Sequence, residues 1–125
     1  MDADAFERWL RRYFDAWASN DPDEVAALFA GDAVYAYGPF REETRGRDAI
    51  VRAWVDGGVP AELRTDVEPI AVQNDRGVAH WRVTFLDEGG RPIEVDGVLV
   101  CDFDEAGRCT LHREWYERRE SAGSA

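Results

Sequence analysis

Apolar positions follow two different periods along the chain. In the first third, apolar side chains recur at helical spacing. The first predicted helix carries an inward aromatic stripe made of Phe6, Trp9, Leu10, Tyr13, Phe14 and Trp17. Asp4 with Glu7 predicts a capping box at the start of this helix. A second, short helix is predicted to begin after Asp21 and to end at Gly31.

The remainder of the chain is dominated by strands. Residues 33–38 predict a strand, residues 39–45 a loop, and residues 47–56 a third helix. From there apolar and polar positions alternate, which predicts strands over residues 62–73, 78–86, 91–103 and 108–119. Pro69 indicates an edge or a bulge in the first of these, because proline cannot donate a hydrogen bond to a sheet. Helices followed by an antiparallel meander give an α+β fold.

Composition and charge narrow the class of protein. The 125 residues support one domain, assigned to residues 1–120, with a frayed tail over residues 121–125. A formal net charge of −11 argues against binding to nucleic-acid backbones and to anionic membranes. Cys101 and Cys109 are expected to be small buried residues in a reduced compartment. Neither a signal peptide nor a long apolar run is visible, so we expect a cytoplasmic protein.

The last predicted strand concentrates polar chemistry on one face. Successive strand side chains alternate between faces, so His112, Glu114 and Tyr116 point the same way. Two titratable groups and a phenol on one face of an otherwise apolar sheet indicate either a buried polar network or a reactive site.

Five segments of the chain carry a family resemblance. They are Tyr13, the run Asp21-Pro-Asp-Glu-Val-Ala-Ala-Leu-Phe-Ala-Gly-Asp-Ala-Val34, Gly46-Arg-Asp-Ala-Ile50, Phe103-Asp-Glu-Ala-Gly-Arg108 and Arg113-Glu-Trp-Tyr116. The chain resembles the nuclear transport factor 2-like superfamily, in its bacterial branch with SnoaL-like polyketide cyclases, ketosteroid isomerases and limonene epoxide hydrolases. The resemblance implies a cystatin-like cone, in which a bent antiparallel or mixed sheet wraps three N-terminal helices and encloses an apolar pocket. The same fold hosts many activities, so the fold alone does not fix one.

The family's pocket-facing positions imply which side chains line the cone. On the last three strands these are His80, Arg82, Thr84, Val95, Gly97, Leu99, Cys101, His112, Glu114 and Tyr116. Tyr13, Trp17, Tyr35, Tyr37, Phe40 and Trp54 are the further candidates for the pocket wall, with ordinary core packing as their alternative. A small hydrophobic molecule is the ligand that such a pocket implies.

The opposite face of the sheet is predicted to be apolar as well. Its residues are Trp81, Val83, Phe85, Val98, Val100, Leu111 and Trp115. A sheet with two apolar faces must be covered on both sides, so we expect a homodimer through this outer face. Coverage by the chain's own C-terminal residues is the alternative.

Of the three catalytic groups that ketosteroid isomerases use, this chain has only one at the matching position. Those enzymes use a carboxylate base with a tyrosine and a protonated carboxylic acid. The resemblance keeps the tyrosine as Tyr13, whereas the base position falls on Tyr37 and the acid position on Leu99. The sequence therefore argues against an isomerase that works by that mechanism.

The other two activities direct attention to Glu114. Limonene epoxide hydrolases use an arginine flanked by two carboxylates; Arg82 matches the arginine and Glu114 one carboxylate, while Thr84 occupies the second position. SnoaL-like cyclases carry an acid/base carboxylate on the last strand, and Glu114 falls at that place. The resemblance implies Glu114 as acid or base, His112 as an alternative proton carrier, and Arg82 with Tyr13 as orienting groups. A structural ion pair between Arg82 and Glu114 is the alternative.

Two functions therefore remain open. One is a cofactor-free acid/base cyclase, isomerase or hydrolase that acts on a small cyclic hydrophobic metabolite. The other is a non-catalytic small-molecule-binding module or a dimeric interaction domain. His80, His112 and Glu114 could in principle form a metal site, but their spacing matches no recognised motif and Arg82 would repel a cation. We accordingly expect neither a metal nor a cofactor.

Overall fold

Three helices and one six-stranded sheet form the part of the chain that the structure describes. A computed structural model describes residues 1–40 and 42–121. The elements are α1 (Ala3–Ser19), α2 (Pro22–Ala26), β1 (Phe29–Ala36), β2 (Glu43–Arg45), α3 (Arg47–Gly57), β3 (Ala61–Gln73), β4 (Arg76–Leu86), β5 (Pro92–Phe103) and β6 (Cys109–Glu120). The strand order is β2-β1-β6-β5-β4-β3, with β1 and β6 parallel and the other neighbours antiparallel. The predicted α+β fold with three helices and a mixed sheet is confirmed.

The first helix begins earlier than its predicted capping box. Asp2 is the N-cap, and its carboxylate accepts a hydrogen bond from the backbone N–H of Ala5. Asn20 adopts the left-handed conformation that ends the helix, and its N–H donates to the Ala16 carbonyl. The predicted stripe faces the core, with all of its members buried except Trp17, which is half-buried.

The region between α2 and α3 differs most from the predicted elements. The second helix ends at Ala26, and β1 begins at Phe29 instead of residue 33. Phe29 pairs with Cys109 on β6, and the register then shifts before Val34 pairs with Leu111. The predicted loop over residues 39–45 contains the short strand β2, which pairs with β1. Burial against β6 has overridden the local helical spacing that extended the second helix.

The long edge strand β3 follows the prediction made from its proline. β3 pairs only with β4 in the described sheet, and its register shifts between Pro69 and Ala71. The missing amide of Pro69 is thereby tolerated, because an edge strand with a bulge does not need it.

The helices cover the inner face of the sheet, and the predicted facing is right for β5 and β6 but wrong for β4. Trp81 pairs with Gly97 and both are buried, whereas His80 pairs with the half-exposed Val98. Directly opposed residues share a face. The inner set on β4 is therefore Trp81, Val83 and Phe85, and the outer set is His80, Arg82 and Thr84. An error of one residue in the facing moves every side chain to the other side.

The predictions also covered the C-terminal tail and the two cysteines. Of the predicted tail, only Ser121 belongs to the described residues, and its N–H donates to the Pro92 carbonyl. Residues 122–125 lie outside the described part. Cys101 and Cys109 are free and buried, as predicted. Over the two described ranges, no helix has the length and apolar character needed to cross a membrane.

Candidate functional site

An apolar pocket of about 340 Å³ lies between the helices and the inner face of the sheet. Its volume is near the lower end of the roughly 300–1,000 Å³ range of ligand pockets. Of the residues predicted to line it, those that do are Tyr13, Trp17, Tyr35, Tyr37, Trp54, Val95, Glu114 and Tyr116. The wall is therefore largely aromatic.

Glu114 places a carboxylate in this aromatic wall. Its side chain projects from the inner face of β6, opposite Leu99 on β5, and the residue is only 7% exposed. The hydroxyl of Tyr35 donates to Glu114 Oε2 over 3.4 Å. The same hydroxyl lies 2.6 Å from that of Tyr13. Because a tyrosine has one O–H proton, Tyr13 donates to Tyr35 when Tyr35 donates to the carboxylate.

Burial keeps the two linked tyrosines protonated. It raises the pKa of Tyr13 and of Tyr35 well above the usual value, and the negative charge of Glu114 raises both further. Burial also raises the pKa of Tyr37, against a hydrogen bond with Thr44 that lowers it. The tyrosine hydroxyls can thus act as hydrogen-bond donors beside the carboxylate, but not as bases.

His112 lies close to this group but outside the pocket wall. It is completely buried and is not among the described residues that line the pocket. Its ring centroid is 4.0 Å from that of Tyr35, with 9° between the planes, and 5.3 Å from that of Tyr13, with 12° between the planes. Burial lowers the pKa of His112 to about 3, although a contact with its own backbone opposes this. The predicted role as a proton carrier that meets the substrate is therefore not supported by its position.

The buried imidazole predicts an acid-sensitive fold. An unfolded histidine binds a proton below its usual pKa of 6.5, whereas folded His112 does so only near pH 3. The unfolded state therefore binds more protons between these values, and stability should fall as the pH falls from about 6.5 towards 3. We expect this group to contribute a slope of about 1.4 kcal/mol per pH unit in that window.

Urea unfolding of the wild type and His112→Phe between pH 7 and pH 4.5 measures this slope. Asp96 and Asp102 also have lowered pKa values, because they are hydrogen-bonded to His80 and to Arg76 respectively. Their contribution is the same in both proteins and cancels in the difference. An equal pH slope in the two proteins would contradict the expected role of the imidazole.

Three predicted pocket residues lie on the opposite side of the sheet. His80 Nε2 lies 2.7 Å from Asp96 Oδ1, and Arg82 Nε donates to Asp96 Oδ2 over 3.2 Å. Arg82 is therefore paired across β4 and β5 on the outer face, and the predicted Arg82–Glu114 pairing is wrong. Thr84 lies on the same outer face, opposite Glu94. The sheet separates all three from the pocket.

The same placement separates the candidate metal ligands. His80 is on the outer face, while His112 and Glu114 are on the inner one. Within residues 1–40 and 42–121, no group of three or more His, Cys, Asp or Glu side chains is arranged to hold a metal ion.

Four further predicted wall residues do not line the pocket. Leu99 and Cys101 are completely buried in the core, and Gly97 is buried and is not among the described lining residues. The side chain of Phe40 is fully exposed and borders a groove with Val98 and Trp115. The turn that follows β1 carries Phe40 away from the pocket, because the chain reverses there to form β2.

The sequence reasoning missed one wall of the pocket. Trp81, Val83 and Phe85 line it from β4, although they were predicted to form the outer face. The α3 end and the following turn contribute Ala53, Gly57, Gly58 and Pro60. The alternation along β4 could have indicated the facing of the first group. Trp81, Val83 and Phe85 are the apolar positions of this strand, and the apolar side of a strand packs against the helices.

Comparisons with known proteins agree with this architecture. The model of the family described as SnoaL-like domain matches residues 10–112. Over 109 residues the chain is 34% identical to a protein named Steroid Delta-isomerase from Nocardioides simplex, covering 86% of this chain and 85% of that protein.

Two solved structures share the fold at low sequence identity. One is SalBIII, described as an epoxide hydrolase/cyclase-like enzyme with a role in pyran ring formation in the polyether salinomycin; the TM-score is 0.76 at 18% identity, over 92% of this chain and 95% of that one. The other is an NTF-2 like protein of unknown function from Burkholderia xenovorans LB400, with a TM-score of 0.72 at 19% identity, over 97% of this chain and 89% of that one.

Proposed function

Because the chain belongs to the SnoaL-like domain family, we propose that it binds a small cyclic hydrophobic metabolite and rearranges it by acid/base chemistry, as an isomerase or cyclase. The observation that carries this proposal is the Glu114 carboxylate, which is 7% exposed, lines the apolar pocket and accepts a hydrogen bond from Tyr35. No metal or cofactor takes part in the proposed chemistry.

Glu114 is the group proposed to move the proton. As a carboxylate it can remove a proton from the carbon next to a substrate carbonyl and return it to another atom of the same molecule. In an isomerisation the double bond shifts as the proton leaves one carbon and is delivered to another, so the net reaction consumes nothing. In a cyclisation the carbanion formed in the first step attacks a second carbonyl carbon, whose oxygen then takes up the proton.

The tyrosine pair is proposed to stabilise the charge that develops on the substrate oxygen. Tyr13 and Tyr35 both line the pocket, and their hydroxyls are 2.6 Å apart. Once Glu114 has taken a proton it no longer attracts the Tyr35 hydrogen as strongly, and that O–H can donate to a substrate oxygen instead. The hydroxyl group already lines the pocket, so only its O–H bond has to turn from Glu114 to the substrate oxygen.

The relative named Steroid Delta-isomerase supports the reaction class, although the positions differ from those of the ketosteroid isomerase constellation. The acid position is Leu99, which is buried outside the pocket, and the base position is Tyr37. In this proposal Glu114 on β6 takes the place of the base, and Tyr35 with Tyr13 takes the place of the protonated acid as hydrogen-bond donor to the substrate oxygen.

Occupancy of the pocket is tested with a variant that narrows it. Ala53 is an exposed residue of α3 that lines the pocket, so Ala53→Phe adds a ring there without entering the core. We expect a β,γ-unsaturated cyclic ketone to quench the tryptophan fluorescence of the wild type, since Trp17, Trp54 and Trp81 line the pocket. The Ala53→Phe variant should bind about tenfold more weakly, which corresponds to about 1.4 kcal/mol.

The matched control is Arg52→Phe, because Arg52 is exposed on the same helix and is not among the described lining residues. The probes are a β,γ-unsaturated ketosteroid and a smaller β,γ-unsaturated cyclohexenone, and migration of the double bond into conjugation is followed by ultraviolet absorbance. Equal binding by both phenylalanine variants would place the ligand elsewhere. Binding without conversion of either probe would favour the second function, a non-catalytic binding module.

The homodimer stays a prediction, with a smaller predicted surface. Three of its seven residues, Trp81, Val83 and Phe85, line the pocket instead. Val98, Val100, Leu111 and Trp115 remain on the outer face. A monomeric mass in light scattering at micromolar concentration would rule the dimer out. Cytoplasmic location likewise stays a prediction.

A further inference from the structure

A completely buried imidazole is packed against the tyrosine pair without hydrogen bonds of its own. In the described structure neither Nδ1 nor Nε2 of His112 has a hydrogen-bond partner. Leaving buried polar atoms unpaired is unfavourable, and an apolar side chain would avoid it. The presence of histidine at this position therefore calls for a reason other than burial of apolar surface.

The orientation of the ring supplies that reason. His112 is nearly parallel to both tyrosine rings, within 9° of Tyr35 and 12° of Tyr13. In a stacked arrangement the ring uses its faces, while its nitrogens lie in the ring plane and point away from the stacked groups. They consequently do not compete for the hydroxyl–hydroxyl hydrogen bond. Imidazole is also the smallest planar ring among the side chains.

The three rings come from three different elements of the fold. Tyr13 is on α1, Tyr35 on β1 and His112 on β6, where it pairs with Tyr35 across the parallel ladder. Two phenols on separate elements must be aligned closely for their hydroxyls to lie 2.6 Å apart. A ring fixed in the sheet and stacked on both restricts their rotation, and it does so without touching the ligand.

We propose that His112 is a positioning residue, whose flat and uncharged ring aligns Tyr13 and Tyr35 so that their hydroxyls meet and Tyr35 donates to Glu114. The effect on turnover rests on the proposed function, but the alignment itself does not. Burial keeps the ring neutral.

The first test uses the protein without any ligand. The buried hydroxyl proton shared by the two tyrosines should give a downfield, slowly exchanging signal in the proton NMR spectrum, assigned by its absence in Tyr13→Phe. We expect His112→Phe, which keeps a flat ring, to retain the signal. We expect His112→Leu, which is apolar but not flat, to lose it. Retention in both variants, or loss in both, would overturn the proposal.

A core truncation away from the pocket separates alignment from general loosening. Leu28 is 1% exposed and is not among the described lining residues, so Leu28→Ala is the control for lost stability. It should keep the hydroxyl signal even if its melting temperature falls as far as that of His112→Leu. Loss of the signal in Leu28→Ala would also overturn the proposal.

A measurement on the wild type keeps the test decisive if a variant fails to fold. Stacking on two tyrosines predicts ring-current shifts that move the ring protons of His112 upfield. Their absence would contradict the alignment.

Kinetics then address turnover separately. We expect His112→Leu to lower kcat by about 10–100-fold, the effect of a small misplacement of the reacting groups, with KM within about threefold of wild type. His112→Phe should restore most of kcat. If His112→Leu loses the hydroxyl signal but keeps full turnover, the alignment stands and the proposed role of the tyrosine pair in turnover fails.

Discussion

Replacing Glu114 by glutamine is expected to lower turnover by about 10²–10⁴-fold, the usual contribution of a positioned acid or base. Glutamine keeps the shape of the side chain, and its carbonyl oxygen can still accept the hydrogen bond from Tyr35. The amide cannot take up a proton at working pH. Ligand affinity should therefore stay within about threefold of wild type, and the loss should fall on kcat.

Glu117→Gln is the matched control for this change. Glu117 lies on the same strand, is exposed, and is not among the described residues that line the pocket. Both variants remove one negative charge, so a general effect of net charge would be seen in both. Wild-type turnover in Glu114→Gln would refute the proposed role. If Glu114→Gln mainly lowers stability in urea and leaves turnover per folded molecule unchanged, the carboxylate has a structural role.

The order and type of the elements could be predicted because their signals are local. The aromatic stripe of α1, the proline of β3 and the alternation in the later strands each lie within a few residues. β1 is different, because its partner β6 lies some 80 residues later, as in the pairing of Phe29 with Cys109. No short stretch of sequence around Phe29 contains that information, so the second helix was predicted to extend too far. β2 has only three residues, too few for a period to show.

The facing of β4 was predicted from the family's pocket positions and not from its own pattern. Trp81 and Val83 alternate with His80 and Arg82, and the apolar parity is the one that meets the helices. The outward charge of Arg82 is balanced by Asp96 on the neighbouring strand. The turn predicted over residues 87–90 pairs Leu86 with residue 91, whereas the structure pairs Leu86 with Pro92. That difference of one residue is enough to reverse the facing of β4 relative to β5.

The site residues were predicted one by one, but their contacts were not. Tyr13, Tyr35 and Glu114 were each expected in the pocket, and all three are there. Alternation assigns a side chain to a face, but it does not give the distance between groups on three elements. The 2.6 Å contact between the two hydroxyls follows from the tertiary packing of α1 on the sheet. The stacking of His112 follows from the same packing.

Adding one methyl group at Gly97 is expected to lower stability, because the new Cβ atom has no room on the inner face of the sheet. A Cβ atom at this position would lie 2.6 Å from the backbone oxygen of Trp115 and 2.7 Å from the Cβ of Tyr116. It would also lie 3.1 Å from the Trp81 ring. The first two atoms belong to the paired strand and cannot rotate away, so β6 must move relative to β5. We expect Gly97→Ala to lower the free energy of unfolding by about 1–3 kcal/mol.

Gly31→Ala is the control, since a Cβ there would meet nothing within 4 Å, and its stability should change by no more than about 0.5 kcal/mol. Urea unfolding measures both variants, and equal midpoints would contradict the expected strain.

Trp81 and Tyr116 both line the pocket, with ring centroids 5.9 Å apart. A shift of β6 at Gly97 would therefore also move the wall beside Glu114, and ligand affinity should fall together with stability. The absence of a side chain at Gly97 is what allows these two aromatic rings to approach each other on the inner face of the sheet.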